Sequence, residues 1–257
     1  MIHSGEFAMK KKKSASLIIL IVTVLGISTL GQADWFIDLE NGLALSGYND
    51  VRIPGETGTL FSLSDDLQTD SSYFFRVRLG YQLKSRHTFS IFAAPLTLNA
   101  SGKVDKKLTF FEETFPPNTP LTGSYTFNSY RLTYRYDFLR KDKWQVGIGL
   151  TAKIRDAAIG IEGGGKSSEK TNVGFVPLIN FRVLWQFQKD WGLLLEGDAA
   201  WSPQGRAEDV LLALQYGLSE KLKLKAGYRI LEGGADVEEV YNFALIHFFS
   251  AGLTYTF

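Results

Sequence analysis

Residues 160–167 have the spacing of a phosphate-binding loop. They read G-I-E-G-G-G-K-S, which satisfies the pattern in which backbone N–H groups and a Lys surround a phosphate. That chemistry requires a helix immediately afterwards, because the helix N-terminus helps to hold the phosphate. Residues 168–174 lead instead into an alternating, strand-like segment. We therefore interpret the glycines as part of an exposed loop and expect no nucleotide cofactor.

Residues that commonly bind metals or perform catalysis are few. The 257-residue chain has no Cys and only three His, namely His3, His87 and His247, which excludes Cys-based and His-rich metal sites. A Ser–His pair of the type used by lipid-modifying enzymes could be sought at Ser250 and His247. In an extended strand these two side chains point to opposite faces, so they cannot meet. We expect no metal, no cofactor and no enzymatic activity.

Charged residues recur at every second position of several segments. Alternate side chains of an extended strand share one face, so the pattern predicts a charged face with more basic than acidic members. The basic members are Arg76, Arg78, Arg131, Arg135, Lys153, Arg155, Arg182, Lys225 and Arg229, and the acidic members are Asp38, Glu40, Asp137, Glu196 and Asp198.

The elements that carry these charges are predicted to be strands. In residues 144–154 every even position is apolar, whereas the odd positions hold Gln, Gly, Thr or Lys. Such alternation is typical of a strand with one apolar face. The patterns of two of these strands are weaker. In residues 35–48 Asn41 falls on the apolar face, and in residues 88–98 Pro95 interrupts the alternation, so we expect a bulge there. The predicted strands cover residues 35–48, 73–83, 88–98, 130–138, 144–154, 175–187, 191–201, 209–218, 222–230 and 243–257.

The connections between these strands alternate in length. Short turns at one end and long loops at the other are typical of a membrane barrel rather than of a soluble sandwich. We therefore predict an all-β fold, a single transmembrane antiparallel up-and-down β-barrel of about ten strands, with about eight or twelve as alternatives. The short connections are residues 84–87, 140–143, 188–190 and 219–221, and the others are residues 49–72, 99–125, 156–172, 202–208 and 231–242.

Aromatic residues support this orientation. They lie beside the short turns and at the C-terminus, as in the aromatic girdle at one membrane interface. The charged face then points into the barrel lumen, and His247 faces lipid. A soluble barrel, with aromatic residues inside and charges outside, is the alternative. The aromatic residues concerned are Tyr81, Phe89, Phe138, Trp144, Phe187, Trp191, Tyr216 and Phe257.

The short turn at residues 188–190 fixes the register of one hairpin. If Phe187 pairs with Trp191, then Arg182 lies opposite Glu196 on the inner face. Opposite charges directly across two strands are stabilising, so exchanging the two charges should preserve much of the interaction. A barrel of this size could be filled and sealed by such pairs, or could keep a narrow channel that favours anions.

The chain ends in A-G-L-T-Y-T-F, with Tyr255 and the terminal Phe257 on the apolar face. This resembles the C-terminal strand signal of Gram-negative outer-membrane β-barrel proteins, which the barrel-assembly machinery binds. The resemblance implies location in the bacterial outer membrane and contact with its lipid and lipopolysaccharide. Omptin-type outer-membrane proteases share the barrel size, but their pattern needs an Asp–His pair at the outer rim. His247 has no adjacent Asp.

The first functional hypothesis is a non-enzymatic outer-membrane barrel, either structural or forming a narrow pore with a net-basic lumen. The alternatives are a loop-mediated adhesin or receptor and, further, a lipid-modifying or proteolytic barrel enzyme. The second long connection carries Phe110, Phe111 and Phe115, which is unusually apolar for an exposed loop. We expect it to fold back over the barrel mouth or to contact a partner.

The N-terminus has the pattern of a secretory signal peptide. Four Lys at residues 10–13 precede a short apolar stretch and the small residues before Ala33, where we place the cleavage. Met9 is the more natural start. The predicted organisation is a leader over residues 1–33 and a barrel over residues 34–257. Removing four Lys and one Glu from the 28 basic and 27 acidic residues leaves 24 and 26, a balance that gives no indication of nucleic-acid binding.

Overall fold

The computed structural model describes residues 33–257, so the predicted leader lies outside the described residues except for Ala33. Within this range no helix is long and apolar enough to cross a membrane. All regular structure in it is β. The strands are β1 (Ala33–Arg52), β2 (Phe61–Ser62), β3 (Leu67–Thr69), β4 (Ser72–Leu83), β5 (His87–Ala94), β6 (Thr97–Lys103), β7 (Leu108–Phe110), β8 (Glu113–Phe115), β9 (Pro120–Lys141), β10 (Trp144–Gly163), β11 (Lys166–Gln186), β12 (Trp191–Ser202), β13 (Gly205–Gly217), β14 (Leu222–Val237) and β15 (Val240–Thr256).

These strands form a closed antiparallel barrel of ten strands in up-and-down order, as the sequence predicts. Strands β5 and β6 pair with successive parts of β9 and together occupy one barrel position. The break between them falls at Pro95, where the alternation predicted a bulge. Strands β3 and β4 share another position in the same way, and β15 closes the barrel by pairing with β1.

The outer connections differ from the sequence prediction. Residues 156–172, expected to be a loop, continue β10 and β11 as a hairpin up to a two-residue turn at Gly164 and Gly165. The segments 202–208 and 231–242 are likewise mostly strand. The asymmetry between the two ends is therefore produced largely by strand extension. The extended hairpins keep their backbone groups paired, which irregular loops would not do.

Side chains on the outer surface are apolar and form a belt. Trp191 and Trp201 lie ten positions apart on the same face of β12, and both are exposed. A tilted strand needs about 9–11 residues to cross the hydrocarbon layer, so these two residues mark its two edges. Leu150, Leu132 and Ile179 are exposed between such edges on other strands. The chain therefore presents lipid-compatible surface around the whole barrel.

The first and second outer connections fold inward over the mouth. Phe61, Phe110 and Phe115 are fully or almost fully buried and pack in one apolar cluster with inward residues of the wall, including Ile161 and Phe248. Phe61 and Phe110 meet edge to face, with ring centroids 6.1 Å apart. The expectation that the second connection folds back over the mouth is confirmed. A hydrophobic core consequently occupies much of the lumen near the outer mouth.

Candidate functional site in the barrel interior

The predicted charged residues all lie on the inward face of the barrel. Most are buried, and Asp38, Arg78, Arg135, Arg155 and Arg182 are partly exposed. The buried ones are Arg76, Arg131, Lys153, Glu196, Asp198, Lys225 and Arg229, together with Glu40 and Asp137. Period-two alternation places them there, because the other face of each strand is apolar and meets lipid.

Asp209 is the centre of this charged layer. Its carboxylate accepts hydrogen bonds from Arg76 at 3.1 Å, from Arg229 at 2.7 Å, and from Arg131. Arg76 and Arg131 come from β4 and β9, across the lumen from β13. Arg131 also donates to Asp198 at 2.6 Å. Three guanidinium groups thus tie opposite walls together through one carboxylate.

Sequence reasoning missed Asp209. Residues 210–214 are apolar at every position, so the alternation that reveals an inward face elsewhere is hidden there. Tyr216 belongs to the predicted aromatic girdle and therefore faces lipid. Even-numbered positions of this strand then point outward and odd-numbered ones inward, which puts Asp209 on the inner face. This alternation, counted from Tyr216, is the sequence signal from which the inward position of Asp209 can be found.

A second group of charges surrounds Glu196 and Glu40. Arg78 contacts Glu196 at 3.3 Å, and Lys225 lies 3.6 Å from Glu40 and 4.0 Å from Glu196. Arg229 makes a bidentate pair with Glu40, with both N–O distances 2.7 Å. Because Arg229 also binds Asp209, the two groups form one continuous network across the lumen.

The register predicted from the turn at residues 188–190 is the one observed. Arg182 is directly opposite Glu196, and its Nε lies 3.6 Å from the Glu196 carboxylate. Asn180 is opposite Asp198 and donates to it at 2.9 Å. Arg182 is therefore one of several cations around Glu196 and not its main partner.

Lys153 and Arg155 differ from the other interior cations. Neither forms a salt bridge with a described residue, and the Lys153 ammonium lies 4.7 Å from the centre of the Phe127 ring. Arg155 donates to the Asn172 side chain, while its buried Nε has no hydrogen-bond partner among the described residues. Both line a cavity of about 160 Å³ near the outer mouth. Alternation predicts both residues on the charged inward face and does not predict that they lack partners.

Other chemically suggestive residues do not assemble. His247 lies on the outward face and bonds to Tyr228, whereas Ser250 is buried on the inward face, so the two are separated as parity predicts. Among residues 33–257 no cluster of three His, Asp or Glu could hold a metal ion. At the outer edge Lys166 donates to Glu113 at 2.6 Å, and this hydrogen bond lowers the pKa of the Glu113 carboxyl.

The sequence matches no protein-family model and no curated protein. Among solved structures, the chain is similar to the outer membrane protease OmpT from Escherichia coli, with a TM-score of 0.56 and 10% identity over 90% of this chain and 99% of that one. The fold is that of the Gram-negative outer-membrane β-barrels. The exposed apolar belt fits a barrel of this fold that is embedded in a lipid membrane.

Two further outer-membrane structures are similar to this chain at lower scores. The transport unit of the autotransporter AIDA-I from Escherichia coli gives a TM-score of 0.47 at 9% identity, covering 95% of this chain and 98% of that one. Neisserial surface protein A gives 0.36 at 17% identity, covering 88% and 99%. At such low identities a similar fold does not imply a similar function, so the function of the interior depends on the residues of this chain.

Proposed function

We propose that this outer-membrane barrel is a non-enzymatic, closed barrel that does not conduct solutes through its lumen. The observation that carries the proposal is the Asp209 carboxylate, which is bound directly by Arg76 and Arg131 from across the lumen. Direct hydrogen bonds of this length leave no room for water between the groups that they join, so these contacts obstruct the lumen. Of the two interiors predicted from the sequence, the filled one fits this geometry, and the narrow pore is the alternative.

A second layer supports the same proposal. The apolar cluster built by Phe61, Phe110 and Phe115 lies toward the outer mouth from the charged layer. An ion crossing the barrel would have to displace packed aromatic rings as well as break buried ion pairs. Both costs are large for a charge that must leave water.

The geometry also favours a non-enzymatic role. The inward Ser250 and outward His247 cannot form a nucleophile–base pair, and residues 160–167 form a hairpin end without the helix that phosphate binding needs. The similarity to a protease is at 10% identity, which carries no catalytic residue to this chain. We interpret the inward-facing charges as a structural layer with a net-basic composition, nine basic residues against six acidic ones when Asp209 is included.

Single-channel recording tests the proposal. Purified protein would be reconstituted into planar bilayers, and the same preparation would be checked for heat-modifiable migration on a gel to show that it is folded. We expect no steady conductance steps from the folded protein. Steady, anion-selective steps that disappear when the preparation is boiled would overturn the closed-barrel proposal and favour the narrow pore.

A further inference from the structure

Lys153 is a buried cation without a buried counter-charge in contact with it. The residue is 2% exposed, yet its ammonium is in contact with no carboxylate of the described chain. Its cross-strand neighbour is Arg131, another cation, so the pairing adds repulsion. The buried carboxylates Asp198 and Asp209 are already bound by arginines. Of the two carboxylates that line the cavity, Glu232 pairs with Arg206 and Glu239 with Lys170. Burial of such a charge is costly unless something neutralises it.

Arg155 lies two residues further along the same inward face and extends the positive region. One edge of its guanidinium is bound by Asn172, while the buried Nε–H is unpaired among the described residues. Gly174 is directly opposite Arg155, and a Cβ at that position would come within 3.0 Å of the guanidinium. The absence of a side chain at Gly174 leaves room for Arg155 to present its donors to the cavity.

The cavity beside these cations is small and mainly apolar. Its volume of about 160 Å³ is close to that of an apolar cavity that accommodates one benzene ring. Small inward residues create the space, among them Ala157, Ala207 and Gly233, and Phe127 and Ile246 complete the apolar wall. At the outer edge Lys170 lies 3.7 Å from the exposed Glu239.

We propose that this cavity binds a small organic carboxylate, with its carboxylate held by Lys153 and Arg155 and its ring-sized apolar body packed against the small and apolar residues of the cavity wall. A bound carboxylate would supply the missing counter-charge and accept a hydrogen bond from Arg155 Nε. The apolar wall favours a compact organic acid over a fully hydrated inorganic anion. The site lies on the outer side of the charged layer, so it goes beyond the closed-barrel proposal and does not depend on it.

Fluorine NMR with para-fluorobenzoate tests the site, using the full-length protein in lipid nanodiscs and empty nanodiscs to correct for partition into lipid. We expect saturable line broadening with the wild-type protein. Lys153→Met and Arg155→Met should each weaken binding about tenfold, since each removes one charge-assisted contact. Lys103→Met, an exposed charge removal outside the cavity, should bind like wild type.

Shape is tested separately from charge. Ala157→Phe should abolish binding by filling the cavity while both cations remain, and heat-modifiable migration will show that this variant is folded. Ala207→Leu provides a second filling variant from the opposite wall. The neutral analogue para-fluorobenzyl alcohol should bind at least about tenfold more weakly, because it lacks the charge. Equal binding by the charge variants and wild type, tight binding of the alcohol, or tighter binding of inorganic phosphate would each overturn the proposal.

Discussion

Lys153 on β10 lies directly opposite Arg131 on β9, and both side chains are buried on the inward face of the barrel. Arg131 is neutralised by two carboxylates, Asp198 and Asp209, whereas the Lys153 ammonium forms no salt bridge with a described residue and lies over the face of Phe127. Like charges across two strands are destabilising, so this arrangement is a cost to the empty barrel. The interior therefore has two parts. In the charged layer the cations are paired with carboxylates, whereas Lys153 and Arg155, beside the cavity toward the outer mouth, form no salt bridge with a described residue.

Asp209→Asn should be the most destabilising single change in the charged layer. It removes the negative charge that Arg76, Arg131 and Arg229 share, and breaking a buried ion pair from one side costs about 3–5 kcal/mol. Denaturant unfolding in detergent will measure the loss. Asp236→Asn, on an exposed segment, is the matched control and should change stability by less than about 0.5 kcal/mol. A similar small effect in both variants would contradict the central role of Asp209.

Exchanging the charges of Arg182 and Glu196 should fail to restore stability. The sequence alone indicates an isolated Arg182–Glu196 pair, and for such a pair the exchange would restore much of the lost stability. In the structure Glu196 is also contacted by Arg78 and Lys225, so an Arg at position 196 would face two cations. In detergent, the double variant Arg182→Glu/Glu196→Arg should therefore have a lower thermal unfolding midpoint than the single variant Arg182→Gln. Recovery to the wild-type midpoint would show that the pair is independent of its neighbours.

Gly165→Ala should loosen the β10–β11 hairpin, and Gly165→Asn should not. Gly164 and Gly165 have φ values of +59° and +78°, the left-handed conformation that a two-residue hairpin turn requires at both positions. No atom lies within 4 Å of an added Cβ at Gly165, so the effect isolates the backbone conformation. Ala should cost about 1 kcal/mol there, while Asn tolerates this conformation better. Amide exchange of Lys166 and Ser168, whose N–H groups point toward β10, will measure local opening, and equal exchange in both variants would contradict the assignment.

Deleting Phe257 should impair barrel assembly more than the stability of barrels that do form. The Phe257 amide donates to the Trp35 carbonyl at 2.9 Å at the junction of the two terminal strands, and its ring packs against Tyr255. Loss of these contacts removes the last pairing that closes the barrel. The amount of heat-modifiable protein in the outer membrane should fall, whereas Phe257→Tyr should retain most of it. Normal membrane levels after deletion would refute the assembly role.

The sequence by itself determined the number and order of the barrel strands, their direction and which face of most strands points inward, but not how far the strands extend at the outer end. Those features depend on local quantities: period-two alternation, the length of the short turns and the fixed conformational limits of Pro95. The Arg182–Glu196 register followed for the same reason, since a short turn fixes which residues of a hairpin oppose each other. Where the alternation disappears, as in residues 210–214, the inference failed and Asp209 was not found.

Only the tertiary structure decided which charges meet across the lumen. Asp209 and its partners Arg76 and Arg131 are far apart in the sequence and lie on opposite walls, so their contact depends on the closure and tilt of the whole barrel. The same closure leaves Lys153 beside a cavity while Arg131 receives both carboxylates. The inward folding of Phe110 and Phe115 is also set by the space that the closed wall leaves. Alternation in the sequence predicts that a side chain points into the barrel. Which residue it pairs with depends on which side chains lie close together once the barrel has closed.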